Sequence, residues 1–201
     1  MYYKLEDNQF KGFYEEREEK EEGTFVEISI DEWNDILNKQ SQGETIFYNI
    51  KDEKLETIKL GEFETLNGTS IETDISALKK SIISELAELK YEYAEKEFIF
   101  QEKYLQKNRD VDKSNLTSIV VMLNVTKQTE FKNWKFKDLN NIDVYVDITI
   151  PDMLNMANTM QSQTTKALIT ESKLIAKLET LSVEELKTFD AYKEFKNLWK
   201  K

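Results

Sequence analysis

Short apolar runs separated by polar turns predict a small α+β module over residues 1–60. Apolar and aromatic residues flank a polar turn at 6–9, and the same arrangement recurs around the turn at 51–54, so each predicts a β-hairpin. Between the hairpins, a short strand leads into Ser29 and Glu32, which fit the capping box that opens a helix. The predicted order of elements in this module is therefore ββ-β-α-ββ.

Residues 61–72 predict a linker and a domain boundary, because they combine glycine with serine and threonine and show no periodicity. A helix follows, and either Thr73 or Asp74 can cap its start. One face of this helix carries a stripe of apolar residues at steps of three and four, namely Ile75, Leu78, Ile82, Leu86, Leu89 and Tyr93. We favour packing of this stripe onto the chain's own core, and the alternative is a coiled-coil seam that joins copies of the chain.

The remainder of the chain, 73–201, predicts a mainly helical domain with a β-hairpin at about 133–149. Segment 112–128 has apolar residues at helical spacing but is rich in the β-branched residues that strands prefer, so its pattern alone does not decide between helix and strand. We predict a helix there. The whole chain thus predicts an α+β fold, in which an amphipathic helix links the N-terminal module to the C-terminal domain.

A second long helix is predicted to begin beside the chain's only proline. Pro151 suits the first turn of a helix, and Thr149 is placed to cap the exposed amides. Met153, Met156 and Met160 then recur on one side of this helix. Methionines at helical spacing usually fill a core, although they also form adaptable recognition surfaces, and we favour the core interpretation.

Composition excludes several classes of chemistry. The chain has no cysteine and no histidine, which removes disulfides, thiolate nucleophiles, histidine-based triads and most zinc sites. A net charge of −11 disfavours binding to nucleic acid, since that affinity comes largely from basic residues. No apolar run is long enough to predict membrane insertion. The acidic run at 15–22 predicts a solvated loop, with a docking patch for a basic partner as the alternative.

Without histidine or cysteine, catalysis would need paired carboxylates, a lysine or tyrosine base, or a carboxylate-bound metal. The 39 acidic residues are so abundant that any chosen pair of carboxylates is uninformative. The best cluster contains Asp138, Asn140, Asp143 and Asp147, but its spacing does not match a calcium loop and it has no glycine for the sharp turn. These residues are typical of a hairpin turn. We therefore expect no catalytic residue, no metal and no cofactor, and we expect that the protein is not an enzyme.

Two parts of the chain resemble phage proteins. Residues 114–186 resemble an uncharacterised domain found at the ends of phage and prophage tail-fibre and related tail proteins, through the N-W-x-F hairpin, the T-I-P-D-M helix start and the MQSQTTKA segment. Upstream, EKEFIFQEKYL resembles the aromatic β-turn that precedes that domain, with Glu102 where glycine is usual. The segment FVEISIDEWNDILNKQSQGETIFYNI is similar to the opening of tail-fibre assembly proteins.

The resemblance implies a protein that binds other proteins during or after assembly of a phage-type tail. It implies a tail-fibre assembly chaperone or a fibre-associated accessory subunit, located in the host bacterial cytoplasm during assembly or retained on the virion tail. The expected partner is a tail-fibre or baseplate protein. The alternatives are a baseplate or fibre subunit that self-associates through the stripe of Ile75–Tyr93, and a host-glycan receptor module in which exposed Trp134 and Tyr145 stack on sugar rings.

Overall fold

The computed structural model describes residues 1–16 and 22–200 and confirms the α+β fold, with 47% of the chain in helices and 28% in strands. Contacts divide the chain into two compact units, Met1–Leu78 and Lys79–Lys201. Most of the acidic run predicted as a solvated loop, 17–21, lies outside the described residues.

Among its described residues, the first unit contains helix α1, the first residues of α2 and three small antiparallel arrangements of strands. Strands β2-β1-β3 form a sheet in that order, and β4-β5 and β6-β7 are separate hairpins. The elements are β1 Tyr2–Glu6, β2 Gln9–Tyr14, β3 Thr24–Glu27, α1 Ile30–Ser41, β4 Thr45–Asn49, β5 Lys54–Ile58, β6 Glu64–Asn67 and β7 Ser70–Thr73.

The capping box predicted for α1 is present. Ser29 Oγ accepts a hydrogen bond from the Glu32 amide at 3.2 Å, and Glu32 Oε2 accepts one from the Ser29 amide at 3.2 Å. Ile36 of this helix packs against the strands. It belongs to a core whose other buried members are Tyr3, Leu5, Ile28 and Leu55. The predicted ββ-β-α-ββ order of this module is confirmed.

The segment 61–72, predicted as a linker, instead contains the β6-β7 hairpin. Gly68 takes a left-handed conformation with φ of 63° in its turn, directly after Asn67. The Asn-Gly pair is a strong turn signal for a two-residue hairpin loop. The flanking strands are four residues each and mostly exposed, so they show little apolar alternation and periodicity does not reveal them.

The second unit combines helices with a four-stranded antiparallel sheet of order β11-β10-β9-β8. Helix α2 begins in the first unit and continues into the second. The elements are α2 Ile75–Ala94, β8 Phe98–Phe100, β9 Tyr104–Gln106, α3 Asp110–Thr126, β10 Glu130–Asp138, β11 Asp143–Thr149, α4 Ile150–Leu178, α5 Val183–Lys187 and α6 Ala191–Trp199.

The ambiguous segment 112–128 forms helix α3, which confirms the helical prediction. Its buried residues, Leu116 and Leu123, lie seven positions apart on one face, so helical periodicity outweighs the β-branched composition. Lys127 ends the helix in the left-handed conformation, with φ of 59°.

The core of the second unit lies between α3, α4 and one face of the sheet. Met153, Met156 and Met160 are at most 1% exposed, which confirms that the methionine stripe fills core. They pack with side chains from the helices and the strands, namely Phe100, Leu116, Leu123, Trp134, Phe136 and Ile148.

The start of α4 is closed by the predicted cap at Thr149. Thr149 Oγ1 accepts a hydrogen bond from the Asp152 amide at 3.3 Å, and Asp152 Oδ2 accepts one from Thr149 Oγ1 at 2.6 Å. The Thr149 hydroxyl is the main cause that lowers the pKa of Asp152 below its usual range. The ionised carboxylate therefore stabilises the folded state above its unfolded pKa, and this stabilisation is lost as pH falls through the lower folded pKa.

We expect Thr149→Ala to lower the free energy of unfolding by about 1 kcal/mol, because it removes the cap and the hydroxyl donor to Asp152. Urea unfolding at neutral pH measures this loss, and the same titration in acid should show a smaller difference between variant and parent. Thr149→Ser keeps the hydroxyl and serves as the control. Equal losses for the alanine and serine variants would contradict the capping role.

Candidate protein-binding surface

The predicted interaction stripe on α2 is largely covered within the chain. Leu78, Ile82, Leu86 and Tyr93 are 8%, 4%, 0% and 4% exposed, while Leu89 is half-buried and only Ile75 is substantially exposed. Within the second unit, the Tyr93 ring lies 5.0 Å from that of Phe195 and 5.1 Å from that of Trp199. The stripe therefore offers little apolar surface to a second copy of the chain.

Trp134 and Tyr145 do not share a surface, which corrects the expectation that both are exposed. Trp134 is 8% exposed, pairs with Val146 across the hairpin, and donates its indole N–H to Gln106 Oε1 at 3.3 Å. Tyr145 is 62% exposed and pairs with Lys135 on the opposite face of the sheet. Because side chains alternate between the two faces of a strand, these two aromatic rings cannot stack on one sugar.

The acidic residues of the hairpin have local structural roles. Asp138 Oδ1 accepts hydrogen bonds from the amides of Asn140 and Ile142, both at 2.9 Å, and so shapes the turn. A hydrogen bond from Lys135 lowers the pKa of Asp143, and one from Lys132 lowers the pKa of Asp147. Over residues 1–16 and 22–200, no group of three or more acidic side chains is arranged to hold a metal ion.

The MQSQTTKA segment of α4 is hydrogen-bonded to the backbone at the end of α2. Gln163 Nε2 donates to the carbonyl oxygens of Tyr93 at 3.0 Å and Lys96 at 2.5 Å. The fully buried Asn108 donates through Nδ2 to the carbonyls of Ala94 at 2.7 Å and Met160 at 2.9 Å. The Tyr93 and Ala94 carbonyls lie at the end of α2, where a helix leaves carbonyls without partners in the helix, so Gln163 gives the polar part of the segment a structural role.

Helices α3 and α4 each expose a face without charged residues. No residue from Ser114 to Thr126, or from Met153 to Thr165, is charged, although 33% of the whole chain is. We call the exposed residues of these two stretches the uncharged helical face. It presents apolar side chains at Val121, Met122, Val125 and Leu154, which are 57%, 41%, 75% and 51% exposed.

Four polar residues of these two stretches are bonded to their own helices. Thr117 Oγ1, Asn124 Nδ2 and Thr126 Oγ1 donate at 2.9 Å to the carbonyls four residues earlier in α3, and Thr159 Oγ1 does the same in α4 at 3.0 Å. Donors that are already satisfied lose little when water is removed. This face therefore costs less to desolvate than the charged faces elsewhere.

A groove of about 690 Å³ continues the uncharged part of α4 toward α6. Its walls include Thr165 and two lysines, Lys166 and Lys173, while Ile169 and Leu198 supply apolar surface. Ile169 is itself 49% exposed. The groove extends the surface with which a partner could make contact.

The sequence did contain a signal for this surface. Apolar periodicity in α3 and α4 identifies only the buried residues. It does not report that charged residues are absent from the exposed sides of these helices. In a chain so rich in charge, two uncharged stretches within predicted amphipathic helices indicate that the exposed face is not simply solvated, because interface cores are depleted of charged residues.

Comparison with family models, with curated proteins and with solved structures finds no match to this chain. Across the helices that the structure describes, none combines the length and the apolar character needed to cross a membrane.

Proposed function

We propose that this protein is a non-enzymatic component of phage-type tail assembly that acts by binding another protein. The observation that supports this function best is the uncharged helical face of α3 and α4, with its exposed Val121, Met122, Val125 and Leu154. Val121, Met122 and Val125 share one side of α3, and exposed apolar side chains grouped in this way are typical of sites for protein partners. The resemblance to tail-fibre proteins supplies the class of partner.

The partner in this proposal is a tail-fibre or baseplate protein, and the role is that of an assembly chaperone or an accessory subunit. A chaperone needs a surface that covers apolar segments of an unassembled fibre without displacing strongly hydrated charges. The uncharged helical face suits this need, because it carries no charged side chain and four polar side chains of its two stretches already donate to carbonyls of α3 and α4. The proposed location is the bacterial cytoplasm during assembly, with retention on the tail for an accessory subunit.

Co-expression with the neighbouring fibre gene, followed by affinity purification, tests this function. We expect the fibre protein to be retained, and we expect Val121→Glu combined with Val125→Glu to weaken retention by at least about tenfold, because a charge is desolvated in the interface. Val111→Glu is the matched control, since Val111 is 54% exposed on α3 but lies outside the uncharged stretch.

Two outcomes would contradict the proposal. Failure of the parent protein to retain the fibre or change its solubility would remove the tail-assembly function. Retention by the double variant at the parent level, with an unchanged circular dichroism spectrum, would show that another surface binds the partner. Size exclusion of the purified parent distinguishes the alternative baseplate subunit, which would form a stable oligomer without the fibre.

A further inference from the structure

The chain's five methionines differ in how far solvent reaches them. Met153, Met156 and Met160 are 0%, 0% and 1% exposed, in the core of the second unit. Met1 is half-buried and packs against the core of the first unit. Met122 is 41% exposed, so a reagent in solution meets this side chain far more readily than the three core methionines.

Met122 lies on the uncharged helical face and also lines an open cavity. Val121 and Val125, which are 57% and 75% exposed, lie beside it on the same side of α3. The cavity has a volume of about 470 Å³, and its other walls include Gln128 and Phe131. A small oxidant can therefore reach the Met122 side chain without any opening of the fold.

We propose that Met122 is a redox-sensitive residue whose oxidation by hydrogen peroxide weakens binding through the uncharged helical face. This inference rests on the proposed function, because it concerns the regulation of the same surface. The thioether sulfur attacks one peroxide oxygen and the O–O bond breaks. The proton of the transferred hydroxyl passes to the other oxygen, which leaves as water. Sulfur is oxidised by two electrons, the peroxide is reduced by two, and the product is methionine sulfoxide.

The sulfoxide changes the chemistry of this surface without adding a charge. Met122 then presents a polar, chiral group in place of a flexible apolar side chain. A partner that covers this oxygen removes its hydrogen bonds to water, and the neighbouring side chains of Val121 and Val125 have no donor to replace them. Oxidation therefore opposes binding, and because sulfoxide reductases restore methionine, the change is reversible.

Limited treatment of the full chain with hydrogen peroxide, followed by peptide mass spectrometry, tests the site of oxidation. We expect the peptide containing Met122 to gain an oxygen at least about tenfold faster than the peptides containing Met153, Met156 and Met160, which are reached only when the second unit opens. Oxidation of Met122 no faster than these three, with the circular dichroism spectrum unchanged, would overturn the assignment.

Met122→Leu is the matched variant, because leucine has a similar size and apolar character but no sulfur to oxidise. We expect peroxide to shorten the retention of the parent protein on a phenyl resin and to weaken its capture of the co-expressed fibre protein by about tenfold. Both properties of the leucine variant, each measured against its own untreated form, should stay unchanged. Methionine sulfoxide reductases should restore the treated parent.

The outcomes distinguish this inference from the proposed function. If the untreated parent does not retain the fibre protein, the tail-assembly function fails, and unchanged retention on the phenyl resin after oxidation would then count against the inference separately. If the untreated parent retains the fibre and the oxidised parent retains it equally, the inference fails while the proposed function stands. Equal effects of peroxide on the parent and on Met122→Leu would place the effect at another residue and contradict the role of Met122.

Discussion

Replacing Phe136 with alanine should lower the free energy of unfolding of the second unit by about 3 to 5 kcal/mol, the usual cost of deleting a buried phenylalanine. Phe136 is 2% exposed, and its ring lies 5.0 Å from Tyr104 and 5.7 Å from Phe100 in stacked arrangements. The substitution removes these contacts and leaves a cavity between the sheet and the helices.

Urea unfolding followed by far-UV circular dichroism measures this loss. Tyr145→Ala is the matched control, because Tyr145 is an aromatic residue on the adjacent strand but is 62% exposed, and it should change stability by no more than about 0.5 kcal/mol. Similar losses for the two variants would show that the sheet does not bury the face carrying Phe136.

Asn108→Asp should destabilise the second unit by about 3 kcal/mol or more at neutral pH, although it changes almost nothing in shape. The Asn108 amide donates to the carbonyls of Ala94 and Met160 at a fully buried site. An aspartate there would place a charged carboxylate, which can only accept hydrogen bonds, beside two carbonyl oxygens that also only accept them. Burial beside carbonyls raises the folded pKa of the introduced carboxyl above its unfolded value of about 3.9.

The sign of the pH dependence follows from that raised pKa. The destabilisation is fully present above the folded pKa and shrinks as pH falls through it, because the protonated carboxyl can donate a hydrogen bond. Asn108→Ala provides a neutral comparison whose loss should not vary with this ionisation. Asn124→Asp is the exposed control on α3 and should have little effect. A loss for Asn108→Asp that is independent of pH would contradict the buried-donor role.

Features that depend on neighbours in sequence could be predicted from the sequence. The capping box predicted at Ser29 and the cap predicted at Thr149 are both present, because each joins residues three positions apart and needs no tertiary contact. The amphipathic helix α2 and the hairpin of β10 and β11 follow equally from periodicity and turn residues.

Features that depend on distant segments could not be predicted in the same way. The role of Asn108 requires the end of α2 and the middle of α4 to meet beside it, and no local pattern indicates that meeting. The burial of Trp134 depends on register, which pairs it with Val146 on the core face and leaves Tyr145 on the other. A shift of one residue would have exchanged the two faces.

The order of strands in the second unit leaves β11 as a long edge of the sheet, whereas β8 at the other edge has three residues. A bare strand edge is a template on which further chains can add and grow into amyloid-like aggregates. Asp143 and Asp147 place exposed carboxylates along β11, and hydrogen bonds from Lys135 and Lys132 lower the pKa of each. These two aspartates stabilise the hairpin. Because the pKa of each is lowered, they also keep this edge charged at a more acidic pH than ordinary surface aspartates would, and this charge opposes aggregation.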